Sequence, residues 1–232
     1  MLDPAALRLL RRPLAWLARR LHASGVRADQ VTLSGFILGL GVIPLLFHQA
    51  YPAALAVILL NRLADGIDGP LARLAKPTDS GAFLDIVCDF LFYAGVVFGF
   101  VLADPAANAL AGSLLLFSFM GSGASFLAFS ILAERRRLVN LRLPNKGFYY
   151  LGGLAEGSET ILFFILCCCF PCHFPALAWF FAGCCLLTAL MRISYGYRLF
   201  SLPLEGQDER KPLSPTGAAG LTTGPGGRKK ST

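Results

Sequence analysis

Four carboxylates, Asp65, Asp68, Asp85 and Asp89, stand within the stretch DGIDGPLARLAKPTDSGAFLDIVCD of a chain that otherwise reads as membrane. At a bilayer centre each Asp costs roughly 2.5–3.5 kcal/mol even on lenient insertion scales, and four together on the order of 10 kcal/mol. Packing seldom keeps such a penalty, so the charges are expected to be gathered and used. Asp65 and Asp68 are three residues apart, and Ala72 continues their face, with Gly69 and Arg73 on the adjoining row. Gly81, Asp85 and Asp89 repeat every four residues along one face of the next segment. Carboxylates brought that close repel one another unless cations sit between them, and hard oxygen donors favour Mg²⁺ or Mn²⁺.

The elements that position these residues follow from the turn between them. Lys76-Pro77-Thr78-Asp79 is short and polar, which predicts two antiparallel neighbouring helices. Counting outward from Pro77 at about 1.5 Å per residue puts Asp68 near the depth of Asp85 and Asp65 near that of Asp89. The expected result is a four-carboxylate box close to one membrane surface. Pro70 removes the amide that would bond the Gly66 carbonyl, which leaves that oxygen available to the site.

The string Asp65-x-x-Asp68-Gly69-x-x-Ala72-Arg73, seven further residues, and then Gly81-x-x-x-Asp85-x-x-x-Asp89 resembles the signature of the CDP-alcohol phosphatidyltransferases. The resemblance implies transfer of a substituted phosphate from a CDP-alcohol, typically CDP-diacylglycerol, to an acceptor alcohol, with release of CMP in phospholipid biosynthesis. It implies that Asp65, Asp68, Asp85 and Asp89 hold two Mg²⁺ or Mn²⁺ ions and that Asp89 is the catalytic base. By the same resemblance Arg73 pairs with phosphate oxygens, while Gly69, Ala72 and Gly81 leave room for the CDP group; these three also suit close helix packing, and the two roles are compatible. Family members are commonly homodimers, so a homodimer is implied. Asp29-x-x-Thr32-x-x-Gly35 resembles the family's Asn-x-x-Thr-x-x-Gly entry with Asp in place of Asn, and a helix N-cap is the favoured role for Asp29. Lys146 to Leu154 resembles a bacterial subgroup whose acceptor the residues do not specify.

With 232 residues, 55% of them hydrophobic, and a mean hydropathy of +0.60, the chain is too apolar for an ordinary soluble domain. The expected fold is all-α: an amphipathic interfacial helix and entry over residues 1–30, a six-helix transmembrane catalytic domain over 31–202, and a disordered cytoplasmic tail over 203–232. Leu7, Leu10, Leu14, Leu17 and Leu21 repeat at 3-4-3-4 spacing with arginines on the other faces, the pattern of a helix in the headgroup plane. Arginines interrupt any apolar run there, so a signal peptide is not expected. Six apolar spans follow, at about 31–47, 52–72, 81–102, 108–133, 148–170 and 175–199.

The net charge of +7 is set by topology rather than by nucleic acid, because the basic residues form no aromatic-lined groove. The outer connections His48–Tyr51, Ala103–Asn108 and Phe170–Pro175 contain no Lys or Arg, and the basic residues are assigned to the opposite side or to span ends there. This positive-inside pattern predicts a multi-pass protein of the inner (cytoplasmic) membrane, with both termini and the acidic box on the cytoplasmic side. Gly35/Gly39 and Gly95/Gly99 give small faces for helix packing.

Lys146, with Arg142 and the Arg135–Arg137 run, meets lipid headgroups or binds a phosphate of the acceptor. Arg192 is an intramembrane charge that needs a partner. Glu156 and Glu159 are candidates, either as structural ion pairs or as acceptor-binding groups. The seven cysteines form no disulfide framework, and Cys169-x-x-Cys172-His173 matches a haem-attachment string without the domain that would use it. Two other functions fit buried acids in a multispan protein: an ion or proton pathway, or a catalytically inactive lipid-binding relative. No polar line continues from the acids toward the outer loops, which weighs against a pathway.

Overall fold

Proline and glycine punctuation sets the helix boundaries in the computed structural model, which describes residues 3–136 and 157–202. The helices are α1 (Asp3–Ala23), α2 (Ala28–Leu40), α3 (Val42–Phe47), α4 (Tyr51–Ala75), α5 (Asp79–Ala103), α6 (Pro105–Arg135), α7 (Gly157–Cys169) and α8 (Phe174–Ser201), with a 3₁₀ turn at Pro171–His173. No strand occurs among the described residues. Pro52, Pro105 and Pro175 lie in the first turns of α4, α6 and α8, where a missing N–H costs nothing. Thr78 caps α5 by accepting from the Gly81 N–H at 3.1 Å, and Asp104 caps α6 from Ala107 at 3.1 Å.

The first apolar span is two helices rather than one. Pro44 has no N–H for the Leu40 carbonyl, and its ring crowds that turn, so the helix breaks at Gly41. Asp29 is not an N-cap either. The helix begins two residues earlier, with Arg27 at the cap position and its N–H bonded to Gln30 Oε1 at 3.0 Å, so Asp29 falls in the first turn.

Four stretches are long and apolar enough to cross a bilayer: Ala28–Phe47, Asp79–Ala103, Pro105–Arg135 and Pro171–Ser201. The protein is an all-helical membrane protein. α4 is just as long as α5, at 25 residues, but Arg62, Asp65, Asp68 and Arg73 lower its hydropathy. Arg62 corrects the assignment of every basic residue to loops, tails or span ends, because it is the twelfth residue of α4. The start of the predicted fifth span and the 203–232 tail lie outside the described residues.

The core runs through the half of the molecule away from the acids. Val42, Leu46, Ile58, Phe92, Val96, Phe100, Leu115, Phe164 and Phe174 are all buried there. Two ring pairs stack face to face, Phe100 on Phe174 with centroids 4.7 Å apart and Phe163 on Phe181 at 4.6 Å. α2 packs on α4 and α5, α1 lies against α4, and α6 pairs with α8. Leu14 and Ala18 of α1 are buried on Ile67 and Leu71 of α4, leaving Arg12, Arg19 and Arg20 exposed.

Glycine lets the site helices approach. A Cβ on Gly35 would stand 2.7 Å from the Ala64 Cβ, and one on Gly99 would stand 2.8 Å from Leu46. These small faces therefore serve contacts inside one chain.

Candidate metal and substrate site

α4 and α5 run antiparallel from the Lys76–Thr78 turn, so the i, i+3 pair of one faces the i, i+4 pair of the other. Asp65, Asp68 and Asp85 each bring a carboxylate oxygen to within 4.8 Å of the others. Asp68 is the most enclosed, only 7% exposed, and its Oδ2 accepts from the Thr32 hydroxyl of α2 at 2.7 Å. Gathered hard oxygen donors of this kind suit a divalent cation, and the half-exposed Asp65 and Asp85 leave an approach to it.

Asp89 is held differently. Its Oδ1 accepts from Arg62 Nη2 at 2.8 Å, and Arg62 Nη1 reaches Asp65 Oδ2 at 3.4 Å. Nη1 also donates to the Tyr93 hydroxyl at 2.9 Å, while Nε and Nη2 donate to Asn61 Oδ1. The guanidinium lies 4.7 Å from the Phe92 ring centroid and 5.0 Å from that of Tyr93. Asn61 Nδ2 in turn donates to the Gly35 carbonyl at 2.9 Å. Of the expected four-carboxylate box, Asp65, Asp68 and Asp85 converge as a triad, and Asp89 stands beside them bound to Arg62.

Arg62 and Asn61 are the residues that sequence reasoning missed. The available signal was Arg62 three residues before Asp65, on the same helix face and inside an apolar span. Thr32 and Gly35 come from the entry segment, and their role is clear only in three dimensions: Thr32 binds Asp68, and Gly35 admits α4.

The other expected residues lie around this centre. Gly69 is next to Asp68, and a Cβ there would meet Arg73 Nη1 at 3.5 Å. Arg73 is exposed, and Ala72 is partly buried. Gly81 sits in the first turn of α5, where a Cβ would stand 2.9 Å from Asp29 Oδ1, so Asp29 borders the site. A groove of about 790 Å³ leads from Asp85 and Asp89 between α5 and α6 to Thr160 and Arg192. Arg192 is 5% exposed; its Nη1 donates to the Ser122 carbonyl at 2.9 Å, and the group lies 5.4 Å from the Phe126 ring centroid. Glu159 accepts from Ser158 at 3.0 Å. Lys146 and Glu156, with Arg137 and Arg142, lie outside the described residues.

These features define a class: a helical membrane protein with an acidic, cation-competent centre between two antiparallel helices. A model of the CDP-alcohol phosphatidyltransferase family matches residues 26–145. The chain is 52% identical over 179 residues to the inner membrane protein YnjF of Escherichia coli, covering 77% of this chain and 87% of that protein. It is 26% identical over 140 residues to the archaetidylinositol phosphate synthase of Pyrococcus horikoshii, covering 56% and 74%. Among solved structures it resembles the phosphatidylinositol phosphate synthase PgsA1 of Mycobacterium tuberculosis. With CDP-DAG bound the TM-score is 0.59 at 22% identity, covering 80% of this chain and 94% of that one. In complex with manganese and citrate it is 0.60 at 21% identity, covering 79% and 88%. The chain belongs to the CDP-alcohol phosphatidyltransferase family.

Proposed function

We propose that the protein transfers a substituted phosphate from a CDP-alcohol, with CDP-diacylglycerol the first candidate, to an acceptor alcohol and releases CMP. The convergence of Asp65, Asp68 and Asp85 beside Asp89 carries this reading, and family membership supplies the reaction class. The CDP-DAG held by the mycobacterial neighbour supports the choice of donor.

Asp65, Asp68 and Asp85 would hold Mg²⁺ or Mn²⁺, with Asp89 completing a two-ion site. Bound there, the ions supply positive charge to the diphosphate and to the departing CMP. Arg73 pairs with phosphate oxygens. Gly69, Ala72 and Gly81 keep the wall low enough for the nucleotide. Asp89 takes the proton of the acceptor hydroxyl as its oxygen bonds to phosphorus and the bond to CMP breaks. That contribution comes late in bond formation and is modest beside the charge stabilisation.

The acceptor enters by the groove toward Arg192. Arg192 and Lys146 are assigned to its anionic group, and Glu159 and Glu156 to its hydroxyls or to pairing with these cations. In the bilayer α4 and α7 complete six spans, α1 lies in the headgroup layer, and the acids open to the cytoplasm with both termini. Two copies form the working unit.

The test is CMP release by purified protein given CDP-diacylglycerol, Mg²⁺ or Mn²⁺, and a panel of glycerol phosphate, inositol phosphate and serine. Metal-dependent release with one acceptor is expected. No release with a broad panel of acceptors and CDP-alcohols would reject the reading. Asp89→Asn with full turnover would reject its role as base and leave the reaction class standing.

A further inference from the structure

The mechanism just described gives Arg62 no task, yet it is among the most tightly held side chains at the site. It is 9% exposed, and its Nε, Nη1 and Nη2 make five contacts, to Asn61 twice, Tyr93, Asp65 and Asp89. A guanidinium has five N–H donors, so the fork is fully used. A residue needed only for topology would sit at a span end with its head in water. Arg62 is instead halfway along α4, with Phe92 against one face.

We propose that Arg62 is a positioning residue that serves as a resident cation within the acidic cluster, fixing Asp89 beside Asp65 and thereby directing the first divalent ion to Asp65, Asp68 and Asp85. This rests on the phosphatidyltransferase reading and deepens it. Asp65 belongs to both arrangements, since one of its oxygens faces Arg62 and one ligand atom joins the triad. Without Arg62, Asp65 and Asp89 would repel each other and any available cation would be drawn between them. With it, Asp89 keeps one position, and the Coulomb repulsion between Arg62 and an incoming ion makes the triad the position filled first. Lysine cannot replace it, because a single ammonium cannot span Asn61, Tyr93 and both acids in one plane.

The experiment measures Mn²⁺ binding by the loss of the free-ion resonance signal, on full-length protein in detergent, together with CMP release. Arg62→Gln should bind Mn²⁺ at least about fivefold more tightly, because a neighbouring positive charge is gone. Its turnover should fall about 10- to 100-fold, with KM for the CDP-alcohol unchanged, because Asp89 has lost its anchor. A residue with a purely structural role would not raise metal affinity while lowering kcat. The gain should shrink when Asp89→Asn is added, since the two changes share one contact. Arg62→Lys, the variant to rely on if Arg62→Gln does not fold, keeps the charge: its Mn²⁺ affinity should match wild type, and its turnover should still fall at least about tenfold.

Folded Arg62→Gln with unchanged or weaker Mn²⁺ affinity would overturn the proposal, as would Arg62→Lys at full turnover. A gain undiminished in the Asp89→Asn background would overturn the link to Asp89. A wild-type protein that binds no Mn²⁺ would overturn the metal reading and this inference together, whereas tight binding without CMP release would remove the proposed reaction alone.

Discussion

The two halves of this bundle are held together by different physics. At the acidic end Thr32, Asn61, Arg62 and Tyr93 satisfy one another and the carboxylates through directed bonds of 2.5–3.4 Å. At the other end Val96, Phe100, Phe164 and Phe174 meet by shape, with stacked rings. Directed bonds fix atoms in position, whereas shape fixes helices against one another. Damage at the apolar end should therefore cost stability without altering chemistry, and damage at the acidic end should do the reverse. The largest expected effect tests the first half of that statement. Phe100 is fully buried against Phe174, so Phe100→Ala should destabilise the fold by about 3–5 kcal/mol. Turnover per folded molecule should stay near wild type, read from CMP release normalised to the monodisperse fraction.

Asp68→Asn tests the other half. The amide keeps the volume and can still accept from Thr32, but it offers a metal one neutral oxygen. Metal-dependent turnover should drop by about 100-fold, equivalent to about 2.7 kcal/mol, with little change in melting temperature. A large loss of stability here would mean that the acids also hold the helices, and the division would fail.

Gly39 lies on the seam between the halves. A Cβ there would stand 2.7 Å from Asn61 Nδ2 and 2.9 Å from Phe92. Gly39→Ala should cost about 1–3 kcal/mol of stability, because neither neighbour can give way without moving Arg62 or the core. It should also lower turnover, since Asn61 fixes Arg62. Loss of stability with unchanged activity would show that the seam is not shared.

The acidic centre was legible in the sequence because helix geometry turns spacing into position: Asp65 and Asp68 on one face, Asp85 and Asp89 on another, and a four-residue turn that makes them meet. The arginine-bound half was not legible. A lone Arg62 within an apolar run does not name its partner, and only the register of α4 against α5 shows it between two carboxylates. Asn61, next to it, could equally have faced lipid. The break at Gly41 follows from Pro44 but is hidden by the hydropathy, which continues unbroken from Val31 to Phe47 while the backbone does not. Asp29 shows the opposite failure: a good capping residue two positions into the helix, its carboxylate beside Gly81 instead.

The smallest expected effect is also the finest test of how directed the acidic end is. The Thr32 hydroxyl has a single proton and two acceptors within reach, Asp68 Oδ2 at 2.7 Å and the Ala28 carbonyl at 3.2 Å. The charged and nearer oxygen takes it. That bond runs from α2 to α4 and fixes the rotation of a carboxylate that is almost fully enclosed. Thr32→Val keeps the shape and removes the bond, so stability should fall by only about 1 kcal/mol. Asp68 would then be free to turn, and Mn²⁺ affinity should weaken by about tenfold, because a ligand's orienting partner is lost. Thr32→Ser keeps the hydroxyl and should restore most of that affinity. If Thr32→Val bound Mn²⁺ as tightly as wild type, Asp68 would be held by packing alone, and the acidic end would obey the same rule as the aromatic one.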